Sequence, residues 1–478
     1  MDLKKIMINF FSLIAIIIGF FFFFQQKENF IDKLTISFML IVNFTALFFF
    51  LTKKENFRPL KKQYLRPSYL FILGFCITYF QYYLDIIFEY TTSDFYIIDK
   101  KYLVKALALI TIAFNFYMIG YNICLNSIAS FINTKKPPFV NIKYLTIVAF
   151  LLLVIFYATV DINYLAGGYP EYSKGVVAGP LSFLFENLII AILVLKSNMI
   201  RSNNTKSTGV LTTIIKFKYE ILTIMIYLIS FILSGERDIF VFLCLALITS
   251  IFYSSGAKFK LSYLIVGLIA GGTILSIIGI ARMSGSSDSI SSKVTSLNEG
   301  LSQGNTHESI FSPTAELAGS GRIVTLSVKY IDEGLPHTKG LFMLLDTLLI
   351  FPGLKTYFMN LFDIPSSMSS SADYLTFLYL GRNADYGIGT SSISDTYIDF
   401  GLIGVIVIFF LIGFLSRKFD IILNSDLAVK LIYLILTFLF ISYSIFLSRS
   451  SLLYFLSRLF YVGIFVLFAY KFFRTNKS

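Results

Sequence analysis

The chain has 478 residues, 56% hydrophobic and 14% charged, with a formal net charge of +12. Soluble domains carry about a quarter charged residues, so a soluble enzyme is excluded. Continuous apolar runs long enough to cross ~30 Å of hydrocarbon exclude a β-barrel, whose strands alternate apolar and polar. The basic residues sit in short loops between those runs, so the charge reports topology and no nucleic acid is implied.

In chain order the predicted spans are 6–24, 34–52, 68–88, 103–130, 142–160, 177–195, 219–234, 239–254, 262–281, 398–415, 428–446 and 451–470. The first run, Ile6 to Phe24, follows Lys4 and Lys5. It exceeds a signal peptide's apolar core and ends in phenylalanines without a small-residue cleavage site, so it is retained as a span. One alternating set of loops holds Lys53 to Arg66, Lys135 to Lys143, Lys196 to Lys218, Lys258 and Lys260, Arg417 to Lys430 and the tail, and with them most of the 40 basic residues. The positive-inside rule then places both termini in the cytoplasm and the longest loop outside. The expected fold is an all-α polytopic membrane protein of about 12 transmembrane helices with one large external loop between spans 9 and 10. Residues 1–281 carry spans one to nine, 282–397 the external loop with interfacial helices, and 398–478 the last three spans. Within the loop, the apolar stretch from Gly340 to Phe362 is interrupted by Asp346, Pro352, Gly353 and Lys355. It reads as an interfacial or re-entrant helix pair, and serine-rich 366–371 turns the chain back toward Arg382.

Several polar groups need an account. Asp85 and Glu89 stand four apart at the outer end of the third span and read as a solvated helix end, not a metal site. Glu186 lies inside the sixth span, facing either a functional cavity or a packing partner such as an arginine. Arg237 occupies the short turn Ser234-Gly235-Glu236-Arg237-Asp238, where a planar guanidinium fork could grip phosphate, snorkel to lipid or pair with a neighbouring acid. Arg282, Arg322, Arg382 and Arg449 are further external arginines, and Arg458 lies deeper in the last span. His307 and His337 are the only histidines; either could serve as a base or be an ordinary loop residue, and they form no metal motif. Gly387-Ile388-Gly389-Thr390 could let backbone amides approach an anion, with Ser391 to Asp395 capping the helix that follows. Asp395 and Asp399 share a helix face and Tyr397 points elsewhere.

The block from Gly387 through Ser391, Asp395, Tyr397 and Asp399 to Gly401 resembles the late-span signature of O-antigen and capsular repeat-unit polymerases of the Wzy type. The turn from Ser234 to Arg237 is similar to that family's earlier arginine motif, and Glu316, Pro336, Gly340 and Pro352 resemble its loop pattern. Asp395 stands where a glutamate is expected and Asp399 where asparagine is frequent. The resemblance implies a GT-C-related membrane glycosyltransferase of the bacterial cytoplasmic membrane. It would join oligosaccharide repeat units carried on undecaprenyl diphosphate, as donor and acceptor, with membrane lipids around it and a chain-length regulator as a candidate partner. Cofactors and metal are not implied. Arg237 and Arg382, with Arg322 and Arg449, would bind the diphosphate. Glu316 and His307 are base candidates, while Asp395 and Tyr397, with Gly387, Gly389, Ser391 and Asp399, organise the loop over the acceptor. A ligase that transfers finished polymer shares these features. A flippase would show repeated halves, which the chain lacks.

Overall fold

The computed structural model describes residues 3–25, 31–53, 63–90, 97, 99–123, 139–161, 164, 174–203, 209–234, 236, 238–283, 309–311, 314–384, 386–424 and 429–475. Backbone in hydrocarbon must satisfy its own hydrogen bonds, and the apolar runs accordingly fold as helices. These are α1 (Leu3–Phe24), α2 (Lys33–Thr52), α3 (Pro67–Ile87), α4 (Leu103–Ile123), α5 (Ile142–Thr159), α6 (Ala178–Asn203), α7 (Lys218–Ser234), α8 (Asp238–Ser255) and α9 (Leu261–Met283). Among the described residues four shorter helices of eight residues or more follow, α10 (Arg322–Asp332), α11 (Leu341–Leu348), α12 (Leu354–Leu361) and α13 (Ser371–Leu380). The chain closes with α14 (Ser392–Leu423), α15 (Leu431–Tyr443) and α16 (Phe455–Phe472). Among the described residues nine helices are long and apolar enough to cross a membrane, namely α1 to α6, α8, α14 and α16. At the other three predicted spans stand α7, α9 and α15. The tenth predicted span starts earlier than expected, at Ser392, because the Ser391 side chain caps the helix there.

Contacts between loops sort the helix ends into two groups. At one end Phe139–Val140 pairs antiparallel with Arg474–Thr475. The Tyr64 N–H donates to the Phe259 carbonyl at 3.0 Å, and Lys53 Nζ donates to Asn122 at 3.0 Å. At the other end Lys105 pairs with Asp332 at 2.8 Å, Lys329 with Asp99 at 3.4 Å, and Lys33 with Glu89. Each pairing joins segments that the charge pattern assigns to one side.

Two apolar cores form. One gathers α1, α2, α3, α4 and α14; the other gathers α5, α6, α7, α8 and α16; α15 contributes to both. The tightest crossing, α4 against α14, depends on facing glycines. A Cβ on Gly120 would lie 2.1 Å from the Phe410 carbonyl oxygen, and one on Gly413 would lie 2.0 Å from that of Tyr117. Small residues let membrane helices approach backbone to backbone where hydrophobicity supplies no drive between them. Near one end of this crossing buried Asp420 accepts hydrogen bonds from the Ser68 hydroxyl at 2.6 Å and the Tyr121 hydroxyl at 2.7 Å, tying α14 to α3 and α4.

Residues 314–391 form a cap over the opposite end. Ile323, Leu326, Phe342, Leu375, Ile388 and Ile398 give it a small core shared with α14. The helix pair expected between Gly340 and Phe362 is present as α11 and α12, separated by Gly353 at φ 79°. α12 buries nothing, and Phe351, Tyr357, Leu361 and Phe362 are exposed, as an interfacial helix requires.

Candidate functional site

α14 is two helices meeting at a break, because Gly401 takes φ 65° and ψ −158°. Positive φ favours glycine, and a Cβ there would sit 3.0 Å from the His337 ring. The break frees the Ile398 carbonyl, which accepts the Thr338 N–H at 3.0 Å. His337 Nδ1 lies 3.3 Å from the same oxygen, and since a carbonyl only accepts, the proton belongs on Nδ1. Asp399 completes the joint. It accepts the Met343 N–H at 2.9 Å, the Phe342 N–H at 3.3 Å and the Thr338 hydroxyl. Those amides open α11, so Asp399 caps that helix from another element and meets its positive dipole end.

One turn earlier, Asp395 is fully buried. Its Oδ2 accepts the Leu452 N–H at 3.1 Å and the Ser451 hydroxyl at 3.0 Å, and that hydroxyl also contacts Asp346 Oδ2 on α11. A serine has one hydroxyl proton, so this bridge between two carboxyls closes fully only when one of them is protonated. Asp395 Oδ1 has no hydrogen-bond partner in this arrangement. Burial raises the Asp346 pKa above the ordinary carboxylate value and the charge of Asp399 adds to this, while the Ser451 bond and Lys355 oppose it. Two buried acids sharing a proton can take or give one, the property a general acid or base needs.

The start of α14 is built from hydroxyls. Ser391 Oγ accepts the Ser394 N–H at 3.1 Å, Ser371 and Thr390 hydroxyls meet at 2.8 Å, and Thr376 accepts the Ile388 N–H at 3.1 Å. Gly389 turns the chain at φ 80°, whereas Gly387 is exposed with φ in the ordinary range. Tyr397 is buried edge-on against Phe23 and His337, which makes it a packing residue of the joint.

Of the described arginines, Arg322 and Arg382 belong to the cap and Arg449 to the connection between α15 and α16. Arg322 opens α10 half-buried, Arg449 is half-buried two residues before Ser451, and Arg382 is exposed just past α13. Glu316 lies on the short helix Ala315–Ala318, its side chain outside the described residues, as are Arg237 and His307 entirely. Beside Arg237, Glu236 pairs with Lys174 at 2.8 Å; burial raises its pKa and the lysine opposes this.

One expectation changes, and one open alternative is decided. Asp85 is not a solvated helix end: it is buried and accepts the Ser309 hydroxyl at 2.8 Å and the Ile310 N–H at 2.9 Å. With Gln81, whose amide donates to the Phe311 carbonyl at 3.0 Å and accepts the Thr314 hydroxyl at 2.7 Å, it pins the start of the cap. Both follow a wide π-type turn at Cys76–Phe80, a distortion frequent near functional sites. Glu186 is a packing acid, paired with Arg458 at 2.6 Å and accepting the Tyr227 hydroxyl at 2.6 Å, with Arg458 over the Phe242 ring. Sequence reasoning names Asp346 only as an interruption of the apolar loop stretch and does not single out Ser451. The available signal was an acid inside an apolar loop helix.

A broken span with buried acids beneath a folded, hydroxyl-rich cap defines a polytopic helical membrane protein with an enzyme-like site at one end. The family model for the O-antigen polysaccharide polymerase Wzy matches residues 6–477, and the chain belongs to that family. No curated protein and no solved structure matches it. Family membership carries a glycosyltransferase-type polymerase activity and an integral membrane location.

Proposed function

We propose that the protein joins oligosaccharide repeat units carried on undecaprenyl diphosphate at the outer face of the cytoplasmic membrane, with twelve spans, both termini inside and the cap outside. The observation that carries this reading is the bridge from Asp395 through Ser451 to Asp346, at the seam between cap and membrane helices. The acceptor hydroxyl attacks the anomeric carbon of the donor sugar. The bond from that carbon to the carrier oxygen breaks, and its electron pair leaves with the diphosphate. The diphosphate is already a good leaving group, so arginines that take up its charge suffice and no metal is called for. Arg322 and Arg449 flank the cap and the bridge in sequence, with Arg237 and Arg382 as further diphosphate ligands. The hydroxyl proton passes to the acid pair, with Asp395 or Asp346 as acceptor. Glu316 and His307 are the other base candidates, and Gly387, Gly389, Ser391, Tyr397 and Asp399 shape the acceptor side.

The experiment places Asp346→Asn and Asp395→Asn separately in a strain lacking the chromosomal copy. Both variants should leave glycolipid bearing one repeat unit and no long chains, at normal protein level. Full-length polymer from both would overturn the acid-pair mechanism. Accumulation of long lipid-linked polymer that is never attached would point to a ligase.

A further inference from the structure

Among the described residues, an apolar cleft of about 470 Å³ opens between α3, α8 and α9. No charged side chain lines it. Along α8 it runs from Phe240 to Phe252, which at the helical rise is about 18 Å of depth, more than half of the ~30 Å hydrocarbon core. α9 forms its outer wall and is peripheral, with Val266 and Ile269 exposed, so the cleft is reached sideways from the bilayer. α9 lines the cleft with Tyr263, Leu264 and Leu268 and, between them, with Gly267 and Gly271, which share one face of the helix and where an added Cβ would meet nothing within 4 Å.

The upper end of the cleft fixes its occupant. It is closed by Thr314 and Leu317 on one side and by Ile445 and Phe446 on the other. The first pair brackets Glu316 and leads to Arg322; the second leads to Arg449 and Ser451. A chain lying in the cleft therefore emerges where Leu317 and Phe446 stand, five residues before Arg322 and three before Arg449. A methyl-branched chain suits this lining, since the missing side chains at Gly267 and Gly271 leave room for branches among the larger apolar residues. We propose that this cleft seats the polyisoprenoid tail of the lipid-linked substrate and that Gly267 and Gly271 select for it. This rests on the polymerase reading above.

The test uses the full chain reconstituted in phospholipid vesicles, with donor and acceptor repeat units on undecaprenyl diphosphate or on a short prenyl diphosphate. Gly271→Leu fills the cleft, and Gly463→Leu on α16, where a Cβ also meets nothing within 4 Å, is the control. A leucine side chain displaces several buried methylenes, so KM for the undecaprenyl substrate should rise about tenfold in Gly271→Leu, and by less than about twofold for the short analogue. Gly463→Leu should change neither. A photoreactive residue at Leu245 should capture undecaprenyl carrier in preference to bulk phospholipid. Equal KM shifts for both substrates, no shift, or capture of phospholipid alone would overturn the cleft assignment while wild-type polymerisation still stands. Failure of the wild-type chain to polymerise either substrate would instead sink the polymerase reading.

Discussion

Removing the Asp399 carboxylate tests whether the broken helix and the cap are one mechanical unit. In Asp399→Ala the Phe342 and Met343 amides and the Thr338 hydroxyl lose their acceptor at a site where Asp399 is 1% exposed. Each buried donor left unmade costs about 1–3 kcal/mol, and losing a helix cap costs about 0.5–2 kcal/mol. Because the groups overlap, a total near 3–5 kcal/mol is expected, the range for breaking a buried charged network. α11 has eight residues and cannot hold itself as an isolated helix. Its release carries Asp346 away from Ser451. Hydrogen exchange of the amides over 338–348 should quicken about a hundredfold or more, and long polymer should vanish from a complemented deletion strain. Asp399→Asn keeps an acceptor oxygen for the two amides, so it should cost only about 1 kcal/mol and retain polymer. If the alanine variant matched wild type in both exchange and polymer length, the joint would not depend on Asp399 and the reasoning would be refuted.

Two further outcomes follow from buried charge. The folded state binds the Asp346 proton more tightly than the unfolded chain does, because burial, helped by Asp399, raises its pKa. Stability from this group is therefore full below the unfolded carboxylate value near ~4 and is lost as pH rises through the raised value. Thermal unfolding in detergent should show that fall, and Asp346→Asn should flatten it. In the other core, Arg458→Met strands Glu186 and should cost about 3–5 kcal/mol, whereas Arg458→Met with Glu186→Gln should recover much of it. A double variant no more stable than the single one would show that the pair is not the unit of stability.

Much of the fold is legible in the sequence because its signals are local. Apolar run length gives the helices, and lysine placement sorts the loops, which the pairing of residues 139–140 with 474–475 matches. Gly340, Gly353 and the serines before α13 mark turns that the structure contains. The site was legible only in outline. Ser391 and Asp395 are where a capped, acid-bearing helix start should be, but Asp399 serves a helix 56 residues or more earlier in the chain. Asp85 was misread for the same reason: its partners, Ser309 and Ile310, lie more than 200 residues away. Period and composition report what a residue can do for its own helix. They are silent on which distant backbone will be laid against it, and buried carboxylates are decided by that second fact.

The break at Gly401 also constrains how the enzyme can work. A helix interrupted at membrane depth needs new partners for its freed backbone, and lipid supplies none. Here the partner is the cap: the Ile398 carbonyl takes the Thr338 amide, and Asp399 takes the start of α11. Swinging this part of the cap away would expose those groups together with Asp395 and Asp346, at a cost of several kcal/mol. Opening for substrate must therefore occur elsewhere. The lateral cleft beside α9 leaves the joint intact, because its walls are apolar and, among the described residues, reach the cap at Thr314 and Leu317. A carrier lipid entering sideways would meet a site already assembled, with its acids and amides held in place by the same bonds that hold the cap.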